Sequence, residues 1–262
     1  MTLRNRVLQF GAVAGPLAWE GLLDLICSHR CLRCDTPDLD RDDELCATCL
    51  RVVEEAAARS YCRRCGKTVP PYGLRSSGCG ACQRERWPFD MVIRVGTYSG
   101  AWASLLRLFK YGGREEFDAF FARRLARRIA QSSVYEEVDA VVAVPTCWQH
   151  RLRRAFHPAL VVGRQVARRC EIPFADVLTR IGGGPHQVGQ PRSARLENVH
   201  GKFRVSPGCS VRGARLCLVD DVMTSGATVS ECSRVLKRAG AAEVFVAVLA
   251  RAADDPVTLL RV

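Results

Sequence analysis

The run LCLVDDVMTSGATVSEC, residues 216–232, sets two adjacent carboxylates, Asp220 and Asp221, ahead of a loop of mostly small residues: Met223, Thr224, Ser225, Gly226, Ala227 and Thr228. Backbone N–H groups and three hydroxyls in such a loop can take phosphate oxygens where a helix begins, because unpaired amides and the helix dipole both favour an anion there. Gly226 lets the backbone come close. The carboxylates would repel that anion, so they are better suited to accept hydrogen bonds from the vicinal hydroxyls of a pentose. A sugar 5-phosphate would then span carboxylates and loop. The plain alternative is a helix N-cap turn that holds no ligand. Neither G-x-x-x-x-G-K-[ST] nor a G-x-G-x-x-G following a strand is present, which leaves the common nucleotide motifs without support.

The second constellation is made of thiols. The pairs Cys31/Cys34, Cys46/Cys49, Cys62/Cys65 and Cys79/Cys82 each have two intervening residues, a spacing that aims two sulfurs at one metal ion. Eleven residues separate the first two pairs and thirteen the last two, which suits two successive zinc ribbons; a crossed pairing stays open, as does a redox role for any one pair taken alone. Gly66, Gly78 and Gly80 sit where such knuckles need unusual backbone angles. A zinc ion held by four thiolates has no open coordination position, so these sites would serve folding and the chemistry would lie elsewhere.

Elements must bring these residues together. Residues 91–98 and 138–144 read as strands, as do 215–219 and 244–250, while 102–109, 115–129, 159–170 and 227–239 carry helical spacing. In the second helix Phe117, Phe121, Leu125 and Ile129 fall on one face, and Arg123, Arg124, Arg127 and Arg128 read as solvated charge on the others. Alternating strands and helices imply an α/β fold with a parallel sheet and right-handed crossovers, whose ligands collect beyond the carboxyl ends of the strands. Those ends are Pro145 onward and Asp220 onward. Residues 180–198, rich in Gly and Pro, read as a long loop.

Length and charge set the outer limits. The 262 residues carry a formal charge of +12, which points to anionic partners without choosing among them. Two zinc tetrathiolates would still leave roughly +8. Of the fourteen cysteines, Cys147, Cys170, Cys209, Cys217 and Cys232 are scattered through core-like surroundings, as fits the reducing cytoplasm. Residues 3–26 read as one or two amphipathic helices, with a membrane-surface role as the alternative; no transmembrane segment and no secretory signal is expected. The domain reading is 1–27 helical, 28–86 double zinc ribbon and 87–262 α/β.

With those residues in view, LCLVDDVMTSGAT looks like the PRPP-binding signature of type I phosphoribosyltransferases. The whole chain resembles the ComF family of competence-associated phosphoribosyltransferase-like proteins. The likeness covers most of the length and includes the cysteine array, LFKYGGR with Lys110, the VAVP strand end at Pro145, and the later Gln187, Arg195, Asn198 and Phe203. It implies a type I phosphoribosyltransferase-like domain behind a double zinc ribbon. It further implies that Asp220 and Asp221 hold the ribose hydroxyls of PRPP, that residues 224–228 hold the 5-phosphate, and that Pro145, Thr146 and Cys147 stand at the pyrophosphate-loop position. Mg²⁺ would arrive chelated by PRPP, with Lys110, Arg151 and Arg154 as candidate pyrophosphate partners. Where relatives read R-G-F-N-Q this chain has Arg154, Ala155, Phe156, His157 and Pro158; His157 could replace a donor or simply precede the next helix. His186, in the long loop, could be an acid or base or have no role.

Two readings follow. One is a phosphoribosyltransferase with an unknown nucleobase acceptor, including a salvage enzyme unconnected with competence. The other is a binding module that senses PRPP or a nucleotide, or contacts single-stranded DNA or competence proteins during DNA uptake. Trp19, Trp87, Trp102 and Trp148 suit a core as well as a base platform, and an oligomer is compatible with either reading.

Overall fold

Strands that are apolar on both faces belong at the centre of a layered α/β fold. The computed structural model of the protein describes residues 30–37, 44–74, 78–111, 116–145, 157–181 and 199–252. The central sheet consists of β1 (Met91–Tyr98), β2 (Ala140–Ala143), β5 (Arg215–Met223) and β6 (Glu243–Ala252), in the order β1-β6-β5-β2 with every neighbouring pair parallel. A separate antiparallel pair, β3 (Leu178–Arg180) and β4 (Phe203–Val205), lies to either side of residues 182–198 in the chain.

Residue alternation divides the core in two. Ile93, Val95, Val141, Cys217, Val219, Phe245 and Ala247 face α3 (Gly100–Tyr111), α4 (Glu116–Ala130) and α5 (Pro158–Arg169). Their neighbours Val92, Val142, Leu216, Leu218, Val244 and Val246 face α6 (Ala227–Arg238) and the β3–β4 pair. The predicted stripe Phe117, Phe121, Leu125 and Ile129 is fully buried, with Trp102 edge-on to Phe121 at 5.5 Å.

The cysteine-rich segment straddles the β1 edge. Cys31, with Cys49 and Val53 of α1 (Ala47–Ala58), joins the first core, whereas Cys62, Cys65 and Cys79, the last just before α2 (Gly80–Arg84), join the second with Trp87 and Phe89.

Several expectations need correction. β2 spans Ala140–Ala143 and not 138–144, though the Asp139 and Val144 amides on either side still bond the Arg215 and Val219 carbonyls, each at 2.9 Å. β5 runs on to Met223, so the two carboxylates lie inside the strand and not after it. The arginines of α4 are a seam and not merely solvated charge: Arg123 pairs with Glu44, Arg124 stacks 4.2 Å over Phe120, and Arg128 donates to the Ala57 carbonyl. Cys209 is exposed, while Cys170, Cys217 and Cys232 are buried as expected. The expectations for residues 3–26, Trp19 and Trp148 lie outside the described residues. Among the described residues, no helix is long and apolar enough to cross a membrane.

Candidate functional site

The carboxylates sit at the carboxyl end of β5, the central strand that follows the crossover from β2. Because side chains alternate along a strand, the pair is divided between the two faces. Asp221 turns toward α3, where Lys110 Nζ meets its Oδ2 at 2.8 Å. Burial alone would lower the Lys110 pKa, but Asp221 and then Asp220 outweigh it and raise the value. Asp220 takes the other face, near Cys232 of α6, whose thiol is pushed well up by burial and then by that carboxylate. Burial, followed by the charge of Asp221, pushes Asp220 itself up to about 8. Two acids adjacent in sequence therefore differ in state: one ion-paired, one holding its proton near neutrality.

The chain then turns through the loop into α6. Met223 is buried, Thr224 exposed, and Ser225 and Thr228 half-buried. Gly226 is the N-cap with φ +81°, a conformation costly for any other residue. A Cβ there would also come within 2.8 Å of the Met223 methyl and 2.9 Å of the Trp87 ring. Ser225 Oγ accepts the Ala227 amide at 3.3 Å, and the helix ladder begins with the Ser230 amide on the Gly226 carbonyl. The amides preceding that bond have no partner within the helix, which is the arrangement that holds anions.

Pro145 ends the neighbouring strand, just after the Val144 amide bonds to the Val219 carbonyl at 2.9 Å. Thr146, Cys147, Arg151 and Arg154 lie outside the described residues, as do Ala155, Phe156, His186, Gln187, Arg195 and Asn198. His157 stands at the N-cap of α5 with Pro158 in the first turn, but its side chain makes no capping bond.

Each cysteine set gathers in sequence order, Cys31, Cys34, Cys46 and Cys49 in one and Cys62, Cys65, Cys79 and Cys82 in the other, with all sulfurs of a set within 4.8 Å. The crossed pairing is excluded. Sulfur separations of 3.7 Å (Cys34–Cys46), 3.7 Å (Cys62–Cys82) and 3.6 Å (Cys65–Cys79) match the about 3.8 Å expected of four thiolates tetrahedral about zinc. As a free thiol Cys49 would be pushed by burial up to about 12, and a divalent cation would let four thiolates share the space. Gly66 and Gly78 take the positive φ expected of knuckle positions, +74° and +108°.

Sequence reasoning missed two buried arginines. Arg94 of β1 donates to the Gly66 carbonyl and Thr68 Oγ1, both at 2.9 Å, beside the second knuckle. Arg251 of β6 reaches both the Cys65 and the Met223 carbonyls. A charged residue inside an apolar strand is the one available signal for either.

Residues 156–259 match the phosphoribosyl transferase domain family and residues 22–83 the double zinc ribbon domain family. The protein is thus a phosphoribosyltransferase-type α/β domain joined to a double zinc ribbon. It is 26% identical over 230 residues to Competence protein F of Haemophilus influenzae, covering 86% of this chain and 98% of that one. It is 29% identical over 211 residues to DNA utilization protein YhgH of Salmonella typhi, covering 79% and 90%. The two matched domains and these relatives support a ComF family protein. A solved structure of the allosteric regulatory enzyme of purine biosynthesis superposes with a TM-score of 0.38 at 24% identity, covering 55% of this chain and 30% of that one.

Proposed function

We propose that the carboxyl end of the sheet at β5 binds PRPP, or a nucleotide through its 5-phosphate, and transfers phosphoribose to a nucleobase. The observation that carries the reading is Gly226: a left-handed glycine opening a twelve-residue helix, three residues after the end of a strand that carries paired acids near its carboxyl end. The loop amides and the hydroxyls of Thr224, Ser225 and Thr228 would take the phosphate, and Asp220 and Asp221 the ribose hydroxyls. Mg²⁺ bound to PRPP would supply neutralisation of the departing pyrophosphate. Lys110 holds Asp221 in the free protein, so it fits an orienting role; contact with pyrophosphate would require it to leave that carboxylate. The residues proposed for pyrophosphate are therefore Pro145, Thr146, Cys147, Arg151 and Arg154. Clamping the sugar while stabilising the leaving group is what an oxocarbenium-like transition state demands.

Calorimetry of the zinc-loaded protein with Mg²⁺-PRPP should give one-site binding, and a screen over free bases should find one that releases pyrophosphate. Asp220→Asn/Asp221→Asn should weaken binding by about tenfold or more, since charge-assisted hydrogen bonds are lost. No binding by the wild-type protein would end this reading.

A second reading is supported by a basic seam between α1 and α4. Arg59, Arg63 and Arg128 line a cleft of ≈ 340 Å³ together with Tyr61, and Arg124, Arg127 and Arg128 line an adjoining one of ≈ 270 Å³ together with Glu54. Charge with an aromatic ring suits single-stranded nucleic acid, and the names of the relatives, competence protein and DNA utilization protein, agree with a DNA-linked accessory role. Binding of fluorescent oligonucleotide that falls with salt, survives Asp220→Asn/Asp221→Asn and is lost in Arg63→Glu/Arg127→Glu would favour it.

A further inference from the structure

We propose that Arg251 couples the second cysteine quartet to the anion loop, so that zinc held by Cys62, Cys65, Cys79 and Cys82 and a ligand at the loop stabilise each other. The inference rests on the reading of the loop as a phosphate site.

Arg251 lies next to Met223 in the β5–β6 register and is only 2% exposed. Its Nε donates to the carbonyl of Cys65 at 3.2 Å, and its Nη1 to the carbonyl of Met223 at 3.0 Å. Cys65 contributes a sulfur to the quartet, while Met223 is the last strand residue before the loop. One planar guanidinium thus bonds both, and its rigid fork cannot follow one carbonyl without disturbing the other.

Two further contacts tighten the connection. Gly66, immediately after Cys65, sits so close that a Cβ would lie 2.8 Å from Val92 and 3.5 Å from the Arg251 stem. Trp87, five residues after Cys82, covers Gly226 within the loop. The loop is therefore gripped at its start through Arg251 and at its glycine through Trp87, both tied to this quartet. The other quartet packs with α3 and α4 on the opposite face of the sheet, away from both contacts. Burying a guanidinium in a strand whose other buried residues are all apolar is costly. A link between two sites gives that cost a use.

Coupling is reciprocal: whatever zinc does for the ligand, the ligand must do for zinc. The test follows zinc release from full-length, fully loaded protein to a chromogenic chelator, with and without saturating Mg²⁺-PRPP. Two release phases are expected, assigned with Cys34→Ser, which disables the first quartet. PRPP should slow the phase of the second quartet by about fivefold or more, the lower end of usual coupling, and leave the first unchanged. Arg251→Met, checked for zinc content and folding, should bind PRPP more weakly and lose the ligand-induced slowing, whereas Arg251→Lys should keep part of it. PRPP binding with no change in either phase, equal slowing of both phases, or full slowing in Arg251→Met would overturn the coupling alone. Absence of PRPP binding by the wild type would overturn the loop reading along with it. Where Arg251→Met does not fold, the wild-type comparison still decides whether quartet and loop are coupled, and Arg251→Lys whether Arg251 carries the coupling.

Discussion

Asp220 and Asp221 are neighbours in sequence and opposites in environment. Lys110 neutralises Asp221 at 2.8 Å, but Asp220 is pushed up to about 8 by burial and by the adjacent charge. The unfolded chain would lose the Asp220 proton near pH 4, while the native protein keeps it to about pH 8. Between those values the native state binds more protons than the unfolded state, so this group makes stability fall as pH rises through the window. Asp220→Asn removes the effect. Its melting temperature should exceed that of wild type by a few degrees at pH 8, with a smaller difference at pH 5, read by calorimetry in paired buffers. An equal difference at both pH values would mean that Asp220 ionises normally. The gain in stability would come with the loss of ligand binding expected above, since a group that serves a ligand need not serve the fold.

At the level of elements, the turn from β5 into α6 depends on Gly226. Gly226→Ala places a side chain in the left-handed region and against Met223 and Trp87. The flexible Met223 methyl can shift, so backbone strain should dominate, costing about 1–3 kcal/mol in chemical denaturation and weakening anion binding at the same time. The strands and helices around this turn were legible because their apolar runs and four-residue stripes are strong; β1 and the stripe of Phe117, Phe121, Leu125 and Ile129 are as the periodicity predicts. The end of β5 was not. Asp220 and Asp221 read as a terminator, yet the ladder continues beside Val248 and Ala250 because its backbone pairs whatever the side chains carry. The loop and its glycine were readable from residue types alone. Arg94, Arg251 and the arginines of α4 were not, because a sequence shows charge but not the carbonyl it will meet.

For the whole molecule, those arginines matter more than their number suggests. Arg128 bonds α1, Arg94 and Arg251 bond the second knuckle, and the two quartets join the cores on the two faces of the sheet. Ribbon and α/β domain therefore share one interior. Stripping zinc should lower the main calorimetric transition by more than about 5 °C and keep it single, since metal binding here is folding free energy for the joint core. A sheet transition that stays in place after chelation would show the ribbon to be an independent appendage.

The docking of the ribbon also settles what happens at the margin of the sheet. β1 is the outermost strand, and its Val92 amide points outward to the Arg63 carbonyl of the ribbon. Were the knuckle to let go, an eight-residue apolar strand would offer its bare backbone to any other extended chain. Metal-starved copies would then adhere to one another, so the thiol cluster would keep molecules apart as well as hold one together.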